Sequence, residues 1–328
     1  MWFDHVTWSI SDSAVAAARA SLLLGVFACL PRYSSLPAIG PDDILTPLPV
    51  QHMDVRGLDI AYVDSGGEGP ALVFIHGLSS YMGFWEYQIP YFAKDFRVLA
   101  LDLPGYGASG RPDASYHPPW FADVVDDWLG GLGIPSATVI GHSMGGQIAM
   151  TLALAHPARV ARLVLSAPAG FERFGPGEAR WMREFWTETR ALEAREDELR
   201  VTFSTMVFNR MDQGTERLLE ERVRIQQHAA FAATSVAVSR SIAGMLDHPV
   251  LDQLPELDVP TLIVFGTDDH MIPNPVFTGG TTLRVAERGR DAIPGANLVM
   301  IPGAGHTVHH DAPDQFNDAL SNFLRMVR

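Results

Sequence analysis

One serine lies between glycines where an apolar run meets a helix-forming segment. The stretch ATVIGHSMGGQIAMTLALAHP, residues 137–157, places Ser143 in the pattern G-x-S-x-G, from Gly141 to Gly145. A sharp strand-to-helix turn presents a serine hydroxyl as a nucleophile, and glycines permit the close backbone approach that such a turn needs. The five-residue pattern alone is a weak signal, so the assignment depends on residues that could activate the serine.

A serine hydroxyl needs a base to take its proton, and the base needs an acid to orient it. His306 follows the apolar run NLVMI, and Asp268 and Asp269 follow the run TLIVF. Both positions come just after predicted strands, at the sheet edge where Ser143 also emerges. We assign the base to His306 rather than to the two histidines that follow it, because those enter the last predicted helical region.

Two backbone amides are candidates for stabilising a negatively charged oxygen. Met144 opens the predicted helix after the serine, so its N–H has no acceptor within the helix. Leu78 follows a predicted central strand in the stretch FIHGLSS. The N–H groups of Leu78 and Met144 are therefore predicted to form an oxyanion hole. His76 and His142 flank the site and are predicted to be substrate-binding residues. We expect them to shape the backbone and the pocket rather than to carry protons.

The elements that must position these residues alternate between strand and helix patterns. The runs ALVFI, RVLAL and TVIGH are typical of strands buried on both faces, and helical segments separate them. Regular alternation predicts an α/β fold with a doubly wound, mostly parallel sheet. We expect this core to comprise residues 50–170 and 256–328.

The alternation stops at residues 171–255, which carry long helical patterns instead. A helical insertion between two late strands of a parallel sheet predicts a cap over the ligand crevice. Large apolar side chains of this cap are candidates for substrate contact, although packing within the cap's own core is the commoner role for such residues. The candidates are Trp186, Met206 and Phe208.

Composition excludes several function classes. The chain of 328 residues has a formal net charge of −14 and a pI near 5.2, which argues against binding to nucleic acid or to anionic lipid surfaces. Its hydrophobic content of 47% is that of a globular protein. A single cysteine, Cys29, excludes an intramolecular disulfide and a thiolate zinc site.

Residues 1–49 are predicted to be a leader and linker, for which two interpretations stay open. The run ASLLLGVFAC is too short to span a bilayer but suits the apolar region of a signal peptide, and Cys29 at its end resembles a lipoprotein attachment site. The alternative is an amphipathic helix packed on the domain, with Cys29 as a small buried residue. The first interpretation predicts an exported lipoprotein with a lipid anchor, and the second a cytoplasmic protein.

From about residue 50 to the end, the chain resembles the α/β-hydrolase superfamily. The resemblance rests on H-G after one strand, D-L-P-G-Y-G-A-S after the next, G-H-S-M-G-G at the serine, G-T-D-D-H-M-I-P, and G-A-G-H near the end. It implies a triad of serine, acid and histidine in that order. In the family pattern G-x-x-D-x-x-x-P, Gly266 and Pro273 select Asp269 over Asp268. The implied chemistry needs no metal or organic cofactor.

Among members of that superfamily, the chain resembles capped serine esterases and monoacylglycerol lipases. This resemblance predicts a carboxylic ester hydrolase for a small-molecule ester with an apolar acyl group. Hydrolases that cleave carbon–carbon bonds in ring-fission products use the same triad and are an alternative, as is a catalytically silent binding module. Acyl transfer to an alcohol instead of water also stays open, and no sequence feature indicates an oligomeric state.

Overall fold

An eight-stranded sheet forms the centre of the computed structural model, which describes residues 36–326. The strands are β1 (Gln51–Val55), β2 (Leu58–Asp64), β3 (Ala71–Ile75), β4 (Arg97–Leu101), β5 (Ala137–His142), β6 (Val160–Ser166), β7 (Thr261–Gly266) and β8 (Asn297–Ile301). Their spatial order is β1-β2-β4-β3-β5-β6-β7-β8. Strands β3 to β8 run parallel, whereas β2 pairs antiparallel with β1 and β4. The predicted α/β fold with a mostly parallel sheet is confirmed.

The central strand β3 shows why an unbroken apolar run suits this position. All five of its residues are buried. Because successive side chains point to opposite faces of a strand, Val73 and Ile75 join the hydrophobic cluster on one face, whereas Leu72 and Phe74 join the cluster on the other. Both faces of the sheet are therefore covered, which fixes the ends of the strands in space.

Helices cover the sheet on both faces and fill the interval between β6 and β7. They are α1 (Gln88–Phe92), α2 (Pro118–Gly131), α3 (Met144–Ala155), α4 (Pro176–Phe185), α5 (Glu188–Leu192), α6 (Glu196–Thr202), α7 (Gln213–Gln226), α8 (Phe231–Asp247), α9 (Thr282–Ala292), α10 (Val308–Asp311) and α11 (Pro313–Met326). Side chains of α2, α3 and α9 pack on one face of the sheet, and those of α1 and α11 on the other.

Five helices, α4 to α8, lie between β6 and β7, within the interval for which the sequence predicts a cap. A π-helical turn, Phe203–Val207, extends α6. A third hydrophobic cluster joins this region to loops of the core. Its buried members are Ile44, Tyr81, Phe84, Leu199, Phe203, Phe208, Leu218, Leu219 and Val223. We call these helices, with the π-helical turn, the cap.

The described chain begins within the predicted linker, so Cys29 and both interpretations of the leader lie outside the described residues. Within residues 36–326, no single helix is long and apolar enough to cross a membrane. Helices α7 and α8, which meet at an angle of 108°, pass the length and composition test only as a pair.

Candidate active site

Ser143 lies at the junction of β5 and α3 in a backbone conformation that L-residues rarely adopt. Its φ is 51° and its ψ is −118°. Such a conformation costs about 1–3 kcal/mol and persists only where the surroundings enforce it. Here the Ser143 N–H donates to the carbonyl oxygen of Ser166 at 3.0 Å, and its own carbonyl accepts from the N–H of Ala169 at 2.9 Å. The turn thus holds a partly exposed serine at the carboxyl edge of the sheet.

The two glycines of the pattern are required by backbone contacts. A Cβ atom on Gly141 would lie 2.2 Å from the carbonyl oxygen of Gly145. One on Gly145 would lie 2.4 Å from the carbonyl oxygen of Ile75 in the central strand. These neighbours are backbone atoms that cannot move aside, so the serine turn can pack against β3 only with glycine at both positions.

His306 and Asp269 form a buried pair in the loops after β8 and β7. The Nδ1 atom of His306 lies 2.9 Å from Oδ2 of Asp269, and the two side chains are 4% and 0% exposed. The other carboxylate oxygen of Asp269 accepts the N–H groups of Met271 at 2.8 Å and Ile272 at 2.9 Å. A carboxylate held in this way keeps the proton of His306 on Nδ1, which leaves Nε2 as the basic nitrogen.

The neighbouring carboxylate of Asp268 has a different environment. It is exposed, and its Oδ1 accepts the hydroxyl of Thr267 at 2.9 Å. Of the two aspartates in this loop, the structure therefore brings Asp269 to His306.

His142 connects the serine turn to the histidine loop. Its Nε2 donates to the carbonyl oxygen of His306 at 3.1 Å, and the two rings lie 4.9 Å apart between centroids. Within the described part of the chain, its buried Nδ1 has no hydrogen-bond partner. Burial, reinforced by the neighbouring His306, holds the pKa of His142 well below 6.5, so the ring is neutral at pH 7. The predicted substrate contact of His142 stays a prediction.

His76 fixes the peptide group that bears the Leu78 amide. Its Nε2 accepts the N–H of Leu103 at 3.0 Å, so Nδ1 carries the proton and donates to the carbonyl oxygen of Gly77 at 2.8 Å. The Gly77 carbonyl and the Leu78 N–H belong to one planar peptide, so holding the first orients the second. Burial lowers the pKa of His76 to about 4. Both ring nitrogens are occupied by backbone groups and the residue is 1% exposed, which corrects the predicted substrate contact to a backbone-positioning contact.

The segment that carries Leu78 packs closely against the serine turn at Gly77. A Cβ atom on Gly77 would lie 3.2 Å from Cβ of Ser143, and Leu78 is the next residue. Met144 is the first residue of α3, so its N–H has no acceptor within that helix. No group of three or more His, Cys, Asp or Glu side chains in residues 36–326 is arranged to hold a metal ion.

Comparison with known proteins identifies the family. A family model described as the alpha/beta hydrolase family matches residues 72–319. The chain belongs to this family. The resemblance seen in the sequence motifs is therefore confirmed, and with it the assignment of this α/β hydrolase to a family of hydrolytic enzymes.

Individual relatives are distant. A probable hydrolytic enzyme from Pseudomonas aeruginosa PAO1 is 26% identical with a TM-score of 0.79, over 89% of this chain and 99% of that one. A thermophilic esterase from Thermogutta terrifontis is 24% identical with a TM-score of 0.68, over 85% of this chain and 97% of that one, which is a likeness of fold. A 1-acylglycerol-3-phosphate O-acyltransferase from Arabidopsis thaliana is 26% identical over 297 residues, or 81% of this chain and 69% of that protein.

In this α/β hydrolase, a buried aspartate that the sequence analysis missed ties the histidine loop to the cap. Asp311 accepts the N–H of Gly305 at 2.8 Å, of Asn209 at 3.0 Å and of Arg210 at 3.2 Å. The first of these amides immediately precedes His306, and the other two belong to the segment between the π-helical turn and α7. No local pattern predicts this role, because two of the partners are about a hundred residues away along the chain.

The three cap candidates lie in different environments. Phe208 is 1% exposed and packs against Phe84 and Phe203, with ring centroids 6.1 and 6.0 Å away. This corrects its predicted substrate contact to a packing contact between cap and core. Met206 is partly buried in the π-helical turn. Trp186 is 38% exposed at the end of α4, with its ring against Phe185 at 5.1 Å.

Proposed function

We propose that this α/β hydrolase is a serine hydrolase that cleaves carboxylic esters with an apolar acyl group. The observation that supports this most directly is the buried pair of His306 and Asp269, at the sheet edge where Ser143 is held in its strained turn. The elements are those of nucleophilic catalysis, namely a serine on a sharp turn, a base with its basic nitrogen free, and an acid that orients the base.

In the first half of the proposed reaction, Nε2 of His306 removes the proton from the Ser143 hydroxyl as the oxygen attacks the ester carbonyl carbon. The carbonyl oxygen becomes negatively charged and accepts the N–H groups of Leu78 and Met144. Asp269 stabilises the protonated imidazole. His306 then gives its proton to the departing alcohol oxygen, the carbon–oxygen bond breaks, and an acyl-enzyme on Ser143 remains.

In the second half, water takes the place of the alcohol. Nε2 of His306 removes a proton from the water, and the resulting hydroxide attacks the acyl carbon. The second tetrahedral intermediate collapses with return of the proton to the Ser143 oxygen, which releases the carboxylic acid. An alcohol that entered at this stage would receive the acyl group, and the acyltransferase among the relatives is the reason to test that outcome.

The test uses p-nitrophenyl esters with acyl chains from acetate to laurate, together with a fluorophosphonate probe that labels activated serines. The wild-type protein should be labelled at Ser143 and should turn over intermediate chains faster than acetate, since each buried methylene contributes up to ~0.8 kcal/mol until the pocket ends. Ser143→Ala should abolish labelling and turnover and keep the thermal unfolding midpoint. Added glycerol would reveal transfer as acylglycerol in the products.

Three outcomes would contradict the proposal. Turnover by Ser143→Ala within tenfold of wild type would exclude Ser143 as the nucleophile. Labelling of Ser143 without turnover of any chain length would show an activated serine with another substrate class, and a vinylogous diketone would then test the carbon–carbon hydrolase alternative. Absence of both labelling and turnover would favour a binding module.

A further inference from the structure

The loop that carries the Leu78 amide contains a second residue in an unfavourable backbone conformation. Ser79 has φ 57°, in the left-handed region that favours glycine. For an L-residue such as serine this conformation costs roughly 1–2 kcal/mol, so it must be held by contacts outside the loop. His76 fixes the chain just before Leu78, and Ser79 determines its path just after.

Two adjacent residues of the cap helix α7 hold this loop. Arg222 donates from Nε to the hydroxyl oxygen of Ser79 at 3.2 Å, and Glu221 accepts the hydroxyl of Tyr81. Both cap side chains are buried, as is Tyr81. The cap therefore forms hydrogen bonds with the loop at two positions, Ser79 and Tyr81, which follow the predicted oxyanion donor Leu78 in the chain.

The side chain of Arg222 is itself fixed. Its Nη1 donates to Oε1 of Gln226 at 2.7 Å, and the guanidinium lies 4.6 Å above the ring of Phe231. Gln226 in turn donates to the carbonyl oxygens of Ala191 at 2.9 Å and Leu192 at 2.8 Å, at the end of α5. The guanidinium therefore approaches Ser79 in one geometry, set by three elements of the cap.

We propose that Arg222 is a positioning residue in the cap, which orients the Leu78 amide of the predicted oxyanion hole. By holding Ser79, it fixes the peptide chain beyond Leu78 and aims the Leu78 N–H at the developing negative charge. The inference rests on the proposed function, since it needs a tetrahedral intermediate on Ser143. Because the oxyanion forms only after binding, Arg222 acts on the rate of acylation and not on substrate affinity.

The test compares Arg222→Met, Ser79→Ala and the double variant in single-turnover acylation by p-nitrophenyl butyrate. Loss of a single oxyanion donor costs 10²–10³-fold, so misalignment of Leu78 should slow acylation by about 10- to 100-fold with KM within about twofold of wild type. A trifluoromethyl ketone, which forms a tetrahedral oxyanion adduct with serine, should lose affinity by the same factor. The double variant should be no slower than the slower single variant, because both single changes remove the same hydrogen bond between Arg222 and Ser79.

Two matched variants separate this role from a general effect of arginine removal or loop damage. Arg224→Met alters the same helix two residues away, where the guanidinium donates to the carbonyl of Pro37, and should leave acylation unchanged. Ser79→Asn should keep acylation within about threefold of wild type, because asparagine tolerates the left-handed conformation and its side-chain oxygen can accept from Arg222. Ser79→Ala keeps the test valid if Arg222→Met does not fold.

The inference is wrong if Ser79→Ala acylates at the wild-type rate, if the effects of the two single changes multiply, or if the variants raise KM and leave ketone affinity unchanged. These results differ from failure of the proposed function, in which the wild-type protein itself would neither hydrolyse the ester nor bind the ketone. In that case the inference fails with the function on which it rests.

Discussion

The side chain of His142 donates from Nε2 to the backbone carbonyl oxygen of His306, so the residue before Ser143 holds the loop that carries His306. Asp269 holds the ring of His306, whereas His142 holds its backbone. The relative position of Ser143 and His306 therefore depends on a contact between the end of β5 and a loop 164 residues further along the chain.

This contact predicts different effects for two substitutions of His142. In His142→Leu, the buried carbonyl oxygen of His306 loses its hydrogen-bond donor, which costs about 1–3 kcal/mol. Because this loss should displace the imidazole of His306 from Ser143, we expect kcat/KM to fall about tenfold or more. His142→Gln places an amide nitrogen near the former Nε2 and should retain most activity. Steady-state kinetics with p-nitrophenyl butyrate would measure both. Equal activity of the two variants would contradict a role for the hydrogen bond.

The two neighbouring aspartates should differ sharply in effect. Asp269→Asn replaces the carboxylate that faces Nδ1 of His306 and favours the wrong tautomer, so kcat should fall about 10⁴-fold. Asp268→Asn changes an exposed carboxylate whose Oδ1 accepts the hydroxyl of Thr267, and it serves as the matched control with activity near wild type. The measurement is kcat with the best ester of the chain-length series. The opposite ranking would move the orienting acid to Asp268.

Burial of neutral His76 predicts a specific loss of stability in acid. Its folded-state pKa of about 4 lies below the ordinary value of 6.5, so the unfolded chain takes up a proton first as the pH falls. The stabilisation is full above pH 6.5 and is lost as the pH drops from 6.5 towards 4. His76→Asn keeps a donor for Gly77 but does not titrate, so the slope of unfolding free energy against pH should differ from wild type by up to about 1.4 kcal/mol per pH unit.

Urea denaturation at several pH values between 4 and 7 would measure this difference. The other shifted groups, such as His142 and Asp102, are present in both proteins and largely cancel in the comparison. Parallel slopes for wild type and His76→Asn would show that His76 is not buried as a neutral ring in the folded protein.

The sequence predicts those parts of the molecule that are encoded by neighbouring residues. The five apolar residues of β3 predict a strand buried on both faces, because alternate side chains must then enter two clusters. The glycines around Ser143 predict the sharp turn, because each is needed within a few residues of the serine. The position of Asp269 follows from the resemblance to the family pattern, and the structure places its carboxylate beside His306.

Contacts between distant segments were not predictable in this way. Arg222 and Ser79 are 143 residues apart, and nothing around either residue indicates the other. Phe208 illustrates a second limit, since an aromatic residue in a cap carries the same signal whether it packs or contacts a ligand. Only its position against Phe84 and Phe203 distinguishes the two roles.

Truncation of Phe208 should therefore lower the stability of the protein, whereas truncation of Trp186 should leave stability nearly unchanged. Phe208→Ala empties a buried site between cap and core and should lower the free energy of unfolding by about 3–5 kcal/mol. Trp186→Ala removes a partly exposed ring, so the unfolding free energy should change by less than about 1 kcal/mol. If Trp186 contacts the acyl chain, its loss should raise KM for long-chain esters more than for acetate. Urea denaturation and the p-nitrophenyl ester series measure the two effects separately. A residue that only packs between cap and core would lower stability without changing the preference for acyl chain length. A Phe208→Ala protein of unchanged stability and altered chain-length preference would therefore show that Phe208 contacts the substrate.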